Sequence, residues 1–308
     1  MKTIDILAIG EPLMEFAEVR RGEERLYLPG FGGDVSNTAV AAARQGAKAA
    51  IFTALGDDAF GQDFLALWDR EGIDRSSVLV REGGRTGVYF ISYGAEGHVF
   101  SYARAGSAAS LVHEGELPLK QIAAARVLHA SGISQAISSD CADAVFAAIR
   151  HAKANGTVVS YDTNLRLRLW PLDRARAVIH GAVALSDIAL PGLDDARQLT
   201  GLDRPEEICA FYLGLGCRIV ALTMGKAGTM VATPERREVI PARPVAAVDA
   251  TGAGDTFDGA FLAEWLVHED AFKAAAYANA AAALSTLGQG AVGPMPERQA
   301  VETFLRAA

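Results

Sequence analysis

Short, almost continuously apolar runs alternate along this chain with longer segments whose apolar residues recur every three or four positions. The runs at 4–9, 49–54, 126–130, 157–161, 187–190 and 218–223 read as strands. Helical spacing recurs at 35–45, 141–155, 172–182 and 205–215. Strands that alternate with helices and lack a polar face predict a parallel sheet covered on both sides. Residues 13–29 and 85–102 break this rhythm, because apolar and polar residues alternate there one by one. Residues 87–93 and 98–102, on either side of Gly94 and Gly97, predict a hairpin. Both stretches are expected outside the main sheet, as a small β flap over one of its edges. Beyond Val245 a strand end runs into Asp249–Asp255 and then into helical segments at 256–267, 270–287 and 296–307. The middle helix is so rich in alanine that it must pack closely on a neighbour. No Pro/Ser-rich linker or charge block divides the chain. The expectation is one α/β domain over 1–308, with lid segments near 13–29 and 85–105.

Composition narrows the function. Half of the 308 residues are hydrophobic and 21% are charged, the balance of a soluble globular protein. A net charge of -8 with scattered basic residues argues against nucleic acid or an anionic membrane surface as a partner. No stretch approaches ~20 uninterrupted apolar residues. The run at 4–9 is too short for a signal-peptide core, so it reads as the first strand of a cytoplasmic protein. Cys141, Cys209 and Cys217 are isolated and read as free thiols in a reducing compartment.

The chemistry concentrates in Asp249-Ala-Thr-Gly-Ala-Gly-Asp255. Two glycines and a small residue before a helix let backbone amides approach an anion, and the helix dipole adds to the attraction. Taken alone, Asp255 reads equally well as a helix cap or as a base beside a phosphate. A P-loop of the form G-x-x-x-x-G-K-[ST] is absent. Gly288-Gln-Gly-Ala-Val-Gly293 matches G-x-G-x-x-G, but it follows a helix and runs into Pro294, which is the wrong setting for a dinucleotide.

Asp249-Ala-Thr-Gly-Ala-Gly-Asp255-Thr-Phe-Asp-Gly259 resembles the C-terminal motif of the ribokinase-like (PfkB) sugar kinases. Their N-terminal motif is matched by Gly32-Gly33-Asp-Val-Ser-Asn37-Thr-Ala39, about 200 residues earlier and in the right order. Gly56-Asp57-Asp58, Gly61, Leu199-Thr200-Gly201 and Gly290-Ala291 extend the resemblance over the whole chain. It implies a ribokinase-like three-layer α/β fold, with a central mostly parallel sheet and a small β-sheet lid. It implies Asp255 as general base toward a sugar hydroxyl, with the amides of Gly252, Ala253 and Gly254 as the anion hole. Gly33, Asp34 and Asn37 would line the sugar pocket, with Glu15 where many relatives hold a hydroxyl. Thr223, Gly225, Gly228 and Asn279 would contact ATP. Mg²⁺ is implied as well. Where many relatives carry Asn-x-x-Glu this chain has Gly192-Leu-Asp194-Asp195, leaving Asp195 to meet the metal, through water. The resemblance also admits a monovalent cation on backbone carbonyls near Asp249 and Thr251.

Two arginines bear on the substrate. Tyr102-Ala-Arg104 and Asp162-Thr-Asn164-Leu-Arg166 resemble segments of the 2-keto-3-deoxygluconate kinases, and Tyr89 falls where that subgroup has a substrate-facing tyrosine. Arginine binds carboxylates through a planar fork, so Arg104 and Arg166 could converge on a sugar acid. Arg168 reads as a surface group. The expectation is a Mg-ATP-dependent 2-keto-3-deoxygluconate kinase. The alternatives are a neutral-sugar kinase such as a fructokinase and a non-catalytic sugar- or nucleotide-binding regulator. Apolar lid residues at a sheet edge, where relatives dimerise, predict a homo-oligomer.

Overall fold

The computed structural model describes residues 2–94 and 97–307. The first half of the chain runs β1 (Ile4–Ile9), β2 (Leu13–Arg21), β3 (Glu24–Gly32), α1 (Asp34–Arg44), β4 (Ala49–Phe52), β5 (Ala54–Gly56), α2 (Ala59–Arg70), β6 (Leu79–Arg81), β7 (Gly87–Gly94), β8 (Gly97–Ala103), α3 (Leu119–Ala124), β9 (Ala125–Ser131), α4 (Gly132–Ala136) and α5 (Ser139–Ala154). The second half continues with β10 (Val158–Asp162), α6 (Leu172–Ala184), β11 (Ile188–Ala189), α7 (Leu193–Thr200), α8 (Pro205–Leu215), β12 (Ile219–Thr223), β13 (Thr229–Ala232), β14 (Arg237–Ile240), α9 (Ala253–His268), α10 (Ala271–Ser285) and α11 (Arg298–Arg306).

Among the described residues, eight strands form the main sheet in the order β14-β13-β12-β11-β10-β9-β1-β4. The six from β12 to β4 are parallel, and β13 and β14 add an antiparallel edge. Successive residues of a strand face opposite ways, and β1 shows the consequence. Leu7 and Ile9 join the core under α5 and α6. Ile6 packs with α9 and α10, and Ala8 with α1 and α2. That two-sided burial explains why the central strands lack a polar face.

Strand order reverses between β1 and β9. From β1 the chain continues to β4 on one side, then returns through β9 and β10 on the other. In open α/β sheets the crevice at such a reversal, at the carboxyl ends of the strands, is where ligands bind. The segments leaving β1, β9, β10, β11 and β12 all start at that edge.

The two stretches with residue-by-residue alternation form a second sheet, ordered β3-β2-β7-β8. β7 and β8 pair antiparallel, with Tyr89 opposite Tyr102, so the expected hairpin is present. Residues 95 and 96 of its turn lie outside the described residues. Several elements go beyond the sequence expectation. Residues 59–70 form α2, whose N-cap Asp58 accepts from the Gly61 amide and whose Phe64, Leu67 and Trp68 are buried. Helix α7 and the short strands β5, β6, β13 and β14 were also not anticipated. They are too short to show a period. No helix among the described residues is long and apolar enough to cross a membrane.

The alanine-rich α10 lies against α9, and α9 in turn lies against α1. At the second contact Gly259 has no room for a side chain. A Cβ there would sit 2.4 Å from the Thr38 carbonyl oxygen and 2.6 Å from the Ala41 Cβ. Forcing extra volume into such a contact costs about 1–3 kcal/mol. We expect Gly259→Ala to lower stability by that order in a denaturant melt; an unchanged midpoint would mean that the two helices separate freely.

Candidate active site

A cavity of about 950 Å³ opens at the carboxyl edge of the main sheet. Strand ends and helix N-termini supply most of its wall. The two glycine-led turns come first. Gly33 precedes α1 with φ 93°, and a Cβ there would lie 2.4 Å from the Glu11 carbonyl oxygen. Gly252 is the N-cap of α9 with φ 74°. Both dihedrals fall where glycine is tolerated and other residues are strained. Helix α9 has no side-chain cap. Asp255, in its first turn, instead accepts a hydrogen bond from Asn37 Nδ2 at 2.7 Å. The capping alternative for Asp255 is therefore not what the structure holds.

Gly33, Asp34, Asn37, Gly252, Gly254 and Asp255 all line the cavity. Ala253 does not, and its amide donates to the Ala250 carbonyl at 3.2 Å. Of the three amides expected to form an anion hole, those of Gly252 and Gly254 belong to residues that line the cavity. Asp34 Oδ2 accepts a short hydrogen bond from Ser131, at the end of β9, while its Oδ1 is buried without a hydrogen-bond partner. Burial pushes the Asp34 carboxyl upward, against the Ser131 bond and the Arg104 charge. Asp255 is pushed up to about 7 by burial and then by the charge of Asp34, while Asn37 and Arg166 oppose the rise.

The second sheet supplies Tyr89, Phe100, Tyr102 and Arg104 to the wall. The rings of Tyr89 and Tyr102 stack with centroids 5.9 Å apart. Glu15, expected toward the sugar, is buried behind this wall and accepts a short hydrogen bond from the Tyr89 hydroxyl. Arg104 is held by Glu11, its Nε donating to Oε2 at 2.7 Å. Beyond β10 the chain turns through Asn164, a non-glycine residue at φ 22°. Asparagine tolerates that region better than most residues. The turn delivers Arg166 to the cavity, where it pairs with Asp195 at 3.6 Å and donates to the Leu165 carbonyl. Arg104 and Arg166 thus both line the cavity that holds Asp34 and Asp255.

Other expected residues lie elsewhere. Thr223 lines the cavity; Gly225, Gly228 and Asn279 do not. Asn279 is buried, accepting from the Thr229 hydroxyl at 2.7 Å and donating to the Ile240 and Pro241 carbonyls. Its side chain is committed to holding the edge strands. Gly228 is confined by the same segment, since a Cβ would meet the Ile240 carbonyl oxygen at 2.1 Å. Arg168 is exposed, as a surface group should be, and also lines the cavity and donates to the Phe100 carbonyl at 2.7 Å. Asp162 and Asp258 also line it, and burial together with neighbouring carboxylates raises both well above the usual range. The sequence signal for them was present: Asp162 ends a strand at the ligand edge, and Asp258 lies one turn after Asp255.

Among the described residues, no group of three or more His, Cys, Asp or Glu side chains forms a ready metal cage. The wall instead offers Asp162, Asp195 and Asp258 separately. Asp195 accepts from the Leu165 amide at 2.9 Å besides pairing with Arg166. Mg²⁺ takes one or two carboxylates and completes its shell with water and phosphate oxygens, so this donor set fits it. Asp249 accepts from Thr251 and from the Gly290 amide, which ties the turn before α9 to the segment that follows α10.

The pfkB family carbohydrate kinase model matches residues 4–298. The chain belongs to that family. A 2-dehydro-3-deoxygluconokinase of Thermoproteus tenax is 33% identical over 313 residues, covering 99% of this chain and 95% of that protein. A probable fructokinase-4 of Arabidopsis thaliana is 32% identical over 315 residues, covering 98% and 96%. A ribokinase II of E. coli, solved with ATP and Mg²⁺, superposes with a TM-score of 0.91 at 26% identity, covering 99% of this chain and 100% of that one. The fold is ribokinase-like, and the protein is a sugar kinase that transfers a phosphoryl group to an alcohol.

The displaced titration of Asp255 has a consequence for stability. Its folded-state value, about 7, lies above the unfolded reference of 3.8, so the folded protein holds this proton more tightly. The stability this group contributes is full below the unfolded value and is lost as pH rises to about 7. Asp255→Asn, which removes the buried charge, should therefore raise Tm at pH 8. The gain should shrink to nothing near pH 4 in paired thermal melts, and a gain independent of pH would contradict this account.

Proposed function

We propose that the protein is a 2-keto-3-deoxygluconate kinase that uses ATP to phosphorylate the primary hydroxyl, giving the 6-phosphate. The observation that carries this reading is that Arg104 and Arg166 both line the cavity that also holds Asp34 and Asp255. A sugar acid gives the remaining guanidinium N–H groups a charged acceptor, which a neutral sugar lacks. Each charge-assisted hydrogen bond is worth about 1.5–3 kcal/mol. In this reading Asp34, Gly33 and Asn37 receive the hydroxyls, and the stacked Tyr89 and Tyr102 form one wall. The four-stranded sheet acts as the lid, with Arg168 fastened to its strand β8.

Asp255 is the general base. A carboxyl near pKa 7 is matched to proton abstraction at neutral pH, and Asn37 orients it from α1. The amides around Gly252 and Gly254, with the positive end of α9, stabilise charge on the transferring phosphoryl group. Thr223 lies on the nucleotide side, near Gly192. Mg²⁺ would be held by Asp162 and Asp195 and would offset charge on the phosphates. Asp255→Asn should reduce kcat by about 10²–10⁴ while the circular dichroism spectrum stays native.

A neutral-sugar kinase is the second reading. Each arginine already has a carboxylate partner, Glu11 or Asp195, which leaves the cavity less positive than two free cations would make it. ADP release with Mg-ATP decides between the two, across 2-keto-3-deoxygluconate, its C4 epimer, gluconate, fructose and ribose. Turnover concentrated on the keto-deoxy acids, with KM raised about 10-fold or more in Arg104→Ala, is the expected result. Preference for fructose, unaffected by that substitution, would discard the carboxylate clamp.

A further inference from the structure

Glu11 leaves the end of β1 at the point where strand order reverses, and it is 1% exposed. Both of its carboxylate oxygens are taken. Oε2 meets the Arg104 guanidinium, with Nε at 2.7 Å and Nη2 in close ion contact, and Oε1 accepts a short hydrogen bond from Ser107. The space around it is tailored. A Cβ on Gly87 would lie 2.8 Å from Glu11 Oε1, and one on Gly33 would lie 2.4 Å from the Glu11 carbonyl oxygen. One residue therefore abuts the turn into α1, the start of β7 and the segment that follows β8. The Arg104 side chain is only 10% exposed, and its guanidinium carbon lies 5.8 Å from the centre of the Tyr102 ring. No protein group among the described residues meets its Nη1. A long, flexible cation is thus pinned at one edge and over one face, with the other edge left for a ligand of the cavity.

We propose that Glu11 is a positioning residue for substrate selection, fixing Arg104 by its Nε edge so that the Nη1 edge meets the substrate's carboxylate. The inference rests on the sugar-acid reading given above. An unbraced arginine would have to give up rotamer freedom each time it bound a carboxylate, and the buried pair removes that requirement before substrate arrives. Glu11 also cancels much of the charge of Arg104, so acid recognition depends on the direction of the guanidinium more than on a diffuse positive field. The design favours a single planar carboxylate over anions of higher charge.

The test is a double-mutant cycle on the full-length protein, with 2-keto-3-deoxygluconate as substrate. Glu11→Ala should raise KM about 10-fold while kcat changes less than about threefold, the pattern of lost uniform binding. Glu11→Gln, which keeps an acceptor for the Arg104 Nε–H, should recover most of the loss. In an Arg104→Ala background, Glu11→Ala should add nothing further, because its effect passes through Arg104. Equal losses in both backgrounds, or Gln performing no better than Ala, would overturn the proposal. If Glu11→Ala fails to fold, Ser107→Ala runs through the same cycle, with a KM rise expected only when Arg104 is present. A wild-type protein that ignores the acid, or an Arg104→Ala variant with unaltered KM, would sink the sugar-acid reading and Glu11's role with it. An additive cycle on an acid-using enzyme would sink Glu11's role alone.

Discussion

Helices α1 and α9 meet backbone to backbone at Gly259, with the Thr38 carbonyl and the Ala41 methyl filling the space a side chain would need. The rest of the site follows from that contact. Each helix starts from a glycine at positive φ at the carboxyl edge of the sheet, so bringing the helices together also brings their N-termini together. Asn37 and Asp255 are 218 residues apart in sequence and 2.7 Å apart in the structure as a direct result. The positive ends of both helix dipoles face the same cavity. Their combined field is one of the few influences that offset the buried carboxylates there.

Those carboxylates define the electrostatic character of the cavity. Asp34, Asp162, Asp255 and Asp258 are drawn from three elements, and burial raises each of them. Buried charges of one sign disfavour one another's ionisation, so such a wall favours uptake of a proton or a cation. The arginines enter already paired, Arg104 in a dry setting and Arg166 in a half-exposed one. Removing one member of a buried pair typically costs 3–5 kcal/mol, against roughly 0–1 for an exposed pair. Glu11 and Arg104 are therefore fixed parts of the scaffold, whereas Arg166 is free to exchange Asp195 for another partner.

Much of this was legible in the sequence, because the determinants are local. The parallel sheet shows in strands without a polar face, the second sheet in strict alternation, and the helix N-termini in glycine-led motifs around Gly33 and Gly252. What escaped depends on contacts between distant segments. Asn279 sits in the right region by motif, yet its amide is spent on the Ile240 and Pro241 carbonyls, which no spacing rule foretells. Arg168 looks like a solvated arginine until the chain turns at Asn164 and brings it to Phe100. Glu15 falls where many relatives hold a hydroxyl, and in the structure it accepts from the Tyr89 hydroxyl.

The cavity wall gathers residues from Leu13 near one end of the chain to Asp258 near the other. The strands of both sheets precede α9 in the chain, so during synthesis they emerge before it. Until α9 follows, Thr38, Ala41 and Ala42 of α1 have no Gly259 to lie against, and Asn37 has no Asp255 carboxylate to meet. A nascent chain can thus assemble both sheets before the cavity wall is complete. The Asn37–Asp255 hydrogen bond forms only once α9 is present, and the same helix covers its share of the apolar core.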